Sequence, residues 1–417
     1  MAFEETVIFV YMDASSAAPA MMGRLYVSHT RGKELFAFEY SEEWLRSSSA
    51  SIIIDPDLSL YKGRQFVPPD KLLFGMFSDS CPDRWGRLLM NRREEYYAKV
   101  EGRKPKTLNE SDYLLGVYDE TRMGALRFSL NEGGPFLSND KGLAAPPWIK
   151  LRTLESASMA YENDEGGQES KWLEQLLAPG SSLGGARPKA SVQAPDESLW
   201  IAKFPSKHDD WDSGAWEMVV HDLAVMCKLN VPEAKLEKFS KEGSTFIVKR
   251  FDRIGKQRLH FSSAMTLLGK KDGDTSASYL DIASFIKANG AAPKKDLREL
   301  WQRIVFSMAV SNTDDHLRNH GFLLENNGWG LSPLYDINPD FRGSALHLNV
   351  SENESIIDFD LAIETAEYFD LNLNDAKSSV ANIRETVSRN WMDIAATHGL
   401  SRSAVSRMEP AFNMTYK

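Results

Sequence analysis

The sequence predicts an α+β fold built from more than one packed unit. Three observations carry this. Apolar residues alternate in period two near the N-terminus, apolar stripes recur at helical spacing elsewhere, and 417 residues are two to three times the usual single-domain length.

Taken in order, the run Val7-Ile8-Phe9-Val10-Tyr11, then Leu25 and Val27, then Phe36, Phe38 and Tyr40 predict a small antiparallel sheet over residues 6–40. A helix should follow, with Pro82 in its first turn and Trp85, Leu88, Leu89 and Tyr96 on its apolar stripe. The Gly- and Pro-rich stretch Asn131 to Pro147 and the polar stretch Tyr161 to Ser170 read as loops. Leu199 to Phe204 predicts a strand that puts Leu199, Ile201 and Lys203 on one face. An amphipathic helix follows, with Ser213 as its N-cap, Trp216, Val219, Val220, Leu223 and Cys227 on its stripe, and Glu217 beside that stripe. Thr245 to Phe251 reads as a strand. A strong helix over Leu297 to Ala309 delivers the chain to Asn312, and Asn326-Asn327-Gly328 turns a hairpin.

Composition narrows the function. Hydrophobic residues at 42% and charged residues at 26% are those of an ordinary globular protein. With 49 Lys and Arg against 59 Asp and Glu, the net charge of -10 argues against a nucleic-acid duplex as sole partner, so any DNA role needs a basic partner. The acidic Met1-Ala2-Phe3-Glu4-Glu5 start and the absence of a long apolar run predict a cytoplasmic protein with no membrane association. Cys81 and Cys227 stand far apart with no C-x-x-C pair, so both read as core residues rather than disulfide or zinc ligands.

The chemistry concentrates in Asn312-Thr313-Asp314-Asp315-His316-Leu317-Arg318-Asn319-His320-Gly321, with Asp336 following. One reading is a metal site of Asp and His ligands, and another is a polar loop that caps a helix. A third is phosphoryl transfer: an Asp orients the attacking hydroxyl, while an Asn five residues later and a further Asp offer oxygens to Mg²⁺. Asp314 and Asn319 have that spacing, which favours Asp314 over its neighbour Asp315. Such chemistry also needs a flexible loop near the phosphates, a strand lysine and an acidic helix residue. Gly184 and Gly185, Lys203 and Glu217 occur in that order. Each alone has a plain alternative, as a turn, a snorkelling lysine or a solvated glutamate. Their shared order implies a divergent kinase-like fold, with neither a Walker A loop nor the G-x-G-x-x-G of ordinary protein kinases.

The blocks Ser181 to Lys189, Trp200-Ile201-Ala202-Lys203-Phe204, Val248 to Arg253, Asn312 to Phe322 and Ser332-Pro333-Leu334-Tyr335-Asp336 strongly resemble the HipA family of serine/threonine kinase toxins from type II toxin-antitoxin modules. Gly23-Arg24-Leu25 and Phe77 to Gly86 look like that family's small N-terminal domain.

The resemblance implies a two-lobed protein-kinase-like fold with an additional small N-terminal α/β domain. Its segments would be an N-terminal domain over 1–105, a connection over 106–150, an N-lobe with the glycine-rich loop over 151–253 and a mostly helical C-lobe over 254–417. It implies ATP and Mg²⁺. Lys203 would contact ATP phosphates, the Lys249 to Phe251 strand would contact adenine, Asp314 would be catalytic, and Asn319 and Asp336 would bind Mg²⁺. Ser182, with Ser181 beside it, would be autophosphorylated, adding about two negative charges where ATP phosphates must sit. The resemblance further implies a small helix-turn-helix, HipB-like antitoxin that makes the DNA contacts, and an aminoacyl-tRNA synthetase as substrate. His316 and His320 read as packing or loop-orienting residues. Two rivals remain at this level, a catalytically silent corepressor or scaffold and a small-molecule phosphotransferase.

Overall fold

The computed structural model describes all residues except 1–4, 15–17, 31, 48–51, 140–143, 164–175, 177–184, 186, 275 and 414–417. The chain divides into two compact units, Met1–Ala202 with Asp252–Ser262, and Lys203–Phe251 with Ser263–Lys417.

In the first unit, β1 (Glu5–Met12), β2 (Ala20–Thr30), β3 (Lys33–Tyr40), β4 (Gln65–Phe66) and β5 (Leu126–Ser129) form one sheet in the order β4-β3-β2-β1-β5. Neighbouring strands pair antiparallel. The alternation expected over residues 6–40 is what buries Ile8, Val10, Leu25, Val27, Phe36 and Phe38, and the sheet packs Phe38 and Phe128 against Phe77. Gly23 is required by close approach, since a Cβ there would lie 2.2 Å from the Glu39 carbonyl oxygen. Strand β5 and the helix Glu110–Gly116 lie in the stretch that the sequence reading gives to a connection.

The helix Arg84–Val100 begins two residues after Pro82, which therefore lies outside it; Asp83 caps it by accepting the Gly86 N–H at 2.7 Å. A side-chain acceptor satisfies an orphan N–H that proline in the first turn could not. A helix Leu151–Glu162 extends into the expected Tyr161 to Ser170 loop, most of which lies outside the described residues.

The second unit is mainly helical. Its helix Ser213–Met226 is capped by Asp212 rather than Ser213, because the Asp212 carboxylate accepts from Ala215 N and also from Ser244 N and Oγ. Trp216 on this helix packs on Trp391 and Phe412, which stack at 4.6 Å and come from the helices Leu373–Thr397 and Arg402–Phe412. Strands Ala234–Glu237 and Thr245–Lys249 pair antiparallel, so the second strand stops two residues short of Phe251. The helix Pro293–Val310 contains the expected stripe, and the expected hairpin joins Gly321–Glu325 to Gly328–Leu331. Cys81 is buried, whereas Cys227 is half-buried at the end of its helix rather than in the core. Among the described residues no helix is long and apolar enough to cross a membrane.

Candidate active site

The second unit gathers the candidate residues from four parts of the chain. Strand Leu199–Lys203 ends on Lys203, whose ammonium lies 2.6 Å from Glu217 Oε1 and 2.5 Å from Asp336 Oδ1. The three residues are 14 and 133 positions apart in the sequence. Glu217 is buried on the inner side of its helix, where the Trp216 contacts and the Asp212 cap fix it. Burial alone would push the Lys203 pKa down. The carboxylates of Asp336 and Glu217 outweigh it and hold the ammonium above its ordinary range. Asp336 itself has φ +59°, a left-handed conformation that Asp tolerates better than most residues.

Asp314 and Asp315 are separated by environment. The helix Pro293–Val310 ends at Ser311 in the left-handed region, and Ser311 Oγ donates to the Ala411 carbonyl at 2.9 Å. The chain then turns so that Asp315 points inward. Its carboxylate accepts from Tyr279 Oη at 2.6 Å and Ser307 Oγ at 3.4 Å, with His320 Nε2 at 3.1 Å. Burial would raise the Asp315 pKa, but His320 and Tyr279 more than offset this and keep it below the usual carboxylate range. Asp314 is exposed, and its carboxylate makes no hydrogen bond or ion pair among the described residues. Asn319 Nδ2 donates to the Asp314 carbonyl at 3.0 Å, so the five-residue spacing closes a loop that binds the amide to the backbone of the acid. Asp315 is thus a fixed support and Asp314 a free carboxylate. His320 is fully buried beneath this loop and His316 packs edge-on to His347, in keeping with packing roles.

The adenine candidates lie in the same unit. Phe251 packs against Tyr335, the residue before Asp336, with ring centres 5.4 Å apart and planes tilted by 35°, and Tyr335 donates to the Arg318 carbonyl at 2.6 Å. The Lys249 ammonium turns toward Glu233 at 3.5 Å, and its N–H pairs with the Glu233 carbonyl.

Of the glycine-rich loop, Gly185 lies in the first unit. Ser181, Ser182 and Gly184 lie outside the described residues. Gly185 is described, has φ +79°, and its carbonyl accepts from Trp85 N at 3.4 Å and faces Lys189 Nζ at 3.5 Å. Lys189, only 2% exposed, pairs with the helix cap Asp83 at 3.1 Å, and its carbonyl accepts from Trp85 Nε1 at 3.0 Å. Sequence reasoning assigned no role to this clasp. Its signal in the sequence is confined to Asp83 and Trp85 in the stretch Phe77 to Gly86 and Lys189 at the end of Ser181 to Lys189, over a hundred positions apart.

Oxygen donors dominate the constellation: the Asp314 and Asp336 carboxylates and the Asn319 amide. That donor set suits Mg²⁺, which takes oxygen ligands, better than the imidazole and thiolate sites of transition metals. Among the described residues no group of three or more His, Cys, Asp or Glu is arranged to hold a metal, which gives the Asp and His metal-site reading no support.

Residues 181–391 match the family model of the HipA-like C-terminal domain. A Sinorhizobium fredii protein named "Putative kinase Y4dM" is 25% identical over 332 residues, which cover 73% of this chain and 72% of that protein. A Haemophilus influenzae protein named "Putative kinase" is 32% identical over 121 residues, covering 26% of this chain and about a third (35%) of its own length. The HipA structure from Shewanella oneidensis, solved with HipB and operator DNA, superposes with a TM-score of 0.63 at 17% identity, covering 97% of this chain and 95% of that one. This likeness establishes the kinase-like α+β fold of HipA. By the family match over half its length, the chain belongs to the HipA family.

Proposed function

We propose that the protein is a cytoplasmic, ATP-dependent serine/threonine protein kinase and the toxin of a toxin-antitoxin pair. The observation that carries this reading is the Lys203 ammonium held between Glu217 and Asp336 at 2.6 and 2.5 Å. A lysine fixed by a helix glutamate is what a phosphate-binding site needs, and the Asp336 carboxylate beside it is what a metal-phosphate complex needs.

In this reading Lys203 binds ATP phosphates, Glu217 holds its ammonium in place, and the Phe251 ring with the Lys249 strand borders the adenine. Asp314 orients the acceptor hydroxyl and takes its proton as the new oxygen-phosphorus bond forms. The bond from the γ-phosphorus to the bridging oxygen breaks, and ADP leaves with that electron pair. Asn319 and Asp336 would hold Mg²⁺, which supplies charge neutralisation at the phosphates when bound. The unengaged Asp314 carboxylate and the inward-turned Asp315 support giving the reaction to the former. We also retain residues 151–253 and 254–417 as the two functional lobes, with 1–105 as an accessory domain joined through 106–150.

Autophosphorylation of Ser182, alone or with Ser181, would oppose nucleotide binding by placing a dianion against the ATP phosphates. The HipA that shares this fold was solved with HipB and operator DNA, which supports a HipB-like antitoxin carrying the DNA contacts here. An aminoacyl-tRNA synthetase is the proposed substrate.

Transfer of labelled phosphate to purified synthetases, to bulk cell protein and to small alcohols tests the assignment. Transfer to protein alone is expected; transfer to alcohols alone, or none at all, would overturn it. Intact-mass and peptide measurements over time with Mg²⁺ and ATP should show phosphate on Ser182, with Asp314→Asn as the control that stays unmodified.

A further inference from the structure

The second unit carries a surface cluster for which the proposed chemistry has no use. Trp211 and Phe341 meet edge to face at 5.5 Å, and two arginines cover them. The Arg342 guanidinium lies 4.9 Å from the Trp211 ring centre and 5.3 Å from that of Phe341; for Arg407 the distances are 5.6 and 5.5 Å. Arg342 pairs with Asp210 at 2.6 Å, and both side chains are more than half exposed. Arg407 donates to the Asp210 backbone carbonyl at 3.0 Å and forms no ion pair among the described residues. Of the neighbouring carboxylates, Asp209 accepts from Ser206 N, Asp212 from Ala215 N and Ser244 Oγ, and Asp340 from Thr313 Oγ1 and Arg342 N, so among the described residues Asp210 alone pairs with a guanidinium of the cluster and Arg407 is left to meet an incoming anion. Aromatic rings hold the guanidinium planes in place, so less side-chain entropy is lost when an anion binds them.

Its position gives the patch a purpose. Arg342 follows Asp336 by six residues, and the intervening segment is tied to the stretch that leads into Asp314. Asn338 N donates to Asn312 Oδ1 at 3.3 Å, Asp340 N to the Ser311 carbonyl at 2.9 Å, and Thr313 Oγ1 to Asp340 Oδ2 at 3.4 Å. Trp211 follows Lys203 by eight residues. The cluster therefore stands on backbone that continues from the candidate site residues and is hydrogen-bonded to the stretch leading into Asp314.

We propose that Trp211, Phe341, Arg342 and Arg407 form a docking surface for an acidic segment of the protein on which this site acts. The inference rests on the protein-kinase reading for what the docked segment is used for, but binding itself does not depend on that reading. Paired arginines are the usual readers of acidic motifs, through charge-assisted hydrogen bonds. Single-stranded nucleic acid is the less favoured occupant. Bases need open ring faces to stack on, whereas here both rings are occupied by guanidinium groups, and a long polyanion would meet the acidic remainder of the chain.

The test uses the full chain and labelled peptides of equal length, each with one serine flanked by glutamates, glutamines or lysines, and an oligothymidine of similar charge. Fluorescence anisotropy without nucleotide should show the glutamate peptide binding about tenfold tighter than the glutamine peptide, with the difference shrinking as salt rises. The R342Q/R407Q variant should bind both alike, and R407E should shift preference toward the lysine peptide. Thermal unfolding establishes that each variant is folded, and R407E alone serves if the double variant is not. Equal binding of the glutamate and glutamine peptides by the wild type, an undiminished glutamate preference in the variants, or tighter binding of oligothymidine would overturn the proposal. Phosphate transfer from ATP to the same peptides separates the two readings. Acid-selective binding by a chain that transfers phosphate to no protein, synthetases included, keeps the surface and removes the kinase, whereas transfer blind to acidity keeps the kinase and removes the surface.

Discussion

Arg122 in the first unit and Lys203 in the second are both cations withdrawn from water, and they are held in opposite ways. The Arg122 guanidinium donates to the carbonyls of Ser80, Leu114 and Val117 at 2.8–3.0 Å, and its own carbonyl accepts from Arg253. Around it Asp119 takes Arg127 and Arg258, and Asp252 takes Arg253 and the Gly124 N–H. These charges fasten loops to one another. Lys203 instead faces two carboxylates, and one of them, Asp336, is about a third exposed. A buried charge bound by main-chain carbonyls is architecture; one bound by carboxylates at an open edge can exchange partners with a ligand. That difference, and not the density of charge, is what directs attention to the second unit.

Asp314→Asn and Asp336→Asn should each lower phosphate transfer by about a thousandfold or more, while the unfolding temperature stays near that of the wild type, because each keeps shape and loses only charge. Near-normal turnover in both would remove the site. Arg122→Leu should do the reverse in denaturant unfolding, costing about 3–5 kcal/mol because three carbonyls lose their donor in a buried place. A loss below about 1 kcal/mol would show that the cluster is not structural.

Burial pushes the His260 pKa down to about 4 from 6.5, so between those values the unfolded chain binds a proton that the fold refuses, and stability falls as pH falls. Burial pushes Asp55 up to about 6 from 3.8, although the N–H groups of Met76 and Asp57 oppose the shift. Here the fold keeps a proton that the unfolded chain releases, and stability falls as pH rises through that window. Each effect amounts to about 3 kcal/mol, and the two oppose one another. Unfolding from pH 4 to 7 should therefore show little slope in the wild type, an acid-sensitive slope in Asp55→Asn and the opposite slope in His260→Leu. Smaller still, Lys203→Met should weaken ATP use by about a hundredfold and Glu217→Gln by about tenfold, read as kcat/KM for ATP. A full ATP-dependent rise in melting temperature in Lys203→Met would make that lysine structural.

Much of the site was legible because its signals are local. The Asp314 to Asn319 spacing, the lysine at the end of an alternating strand and the turn before Asp336 are patterns within a few residues, and the structure brings Lys203, Glu217 and Asp336 together. The strands over 5–40 followed from alternation for the same reason. What escaped were pairings between distant loops, which leave no periodicity: Asp83 with Lys189, Arg122 with carbonyls of three segments, and Trp211 with Arg342 and Arg407. Local errors had local causes. Asp212 displaced Ser213 as cap because its carboxylate also serves Ser244 from a neighbouring segment, and the strand toward Phe251 stopped at Lys249, after which Asp252 turns to the Gly124 N–H.

The segment Asp252–Ser262 belongs to the first unit although the chain leaves that unit after Ala202. During synthesis the ribosome must therefore add the intervening residues before Asp252, Arg253 and Arg258 can reach Gly124, the Arg122 carbonyl and Asp119. At about 5–20 residues per second, the stretch from 202 to 262 takes roughly 3 to 12 s. For that interval the Arg122 contacts with Ser80, Leu114 and Val117 and the Arg127–Asp119 pair can form but Asp252, Arg253 and Arg258 are missing, so the first unit waits incomplete while part of the second is already being made. The order of translation and the order of completion are not the same, and a nascent chain arrested before residue 252 should be open to protease where the finished protein is not.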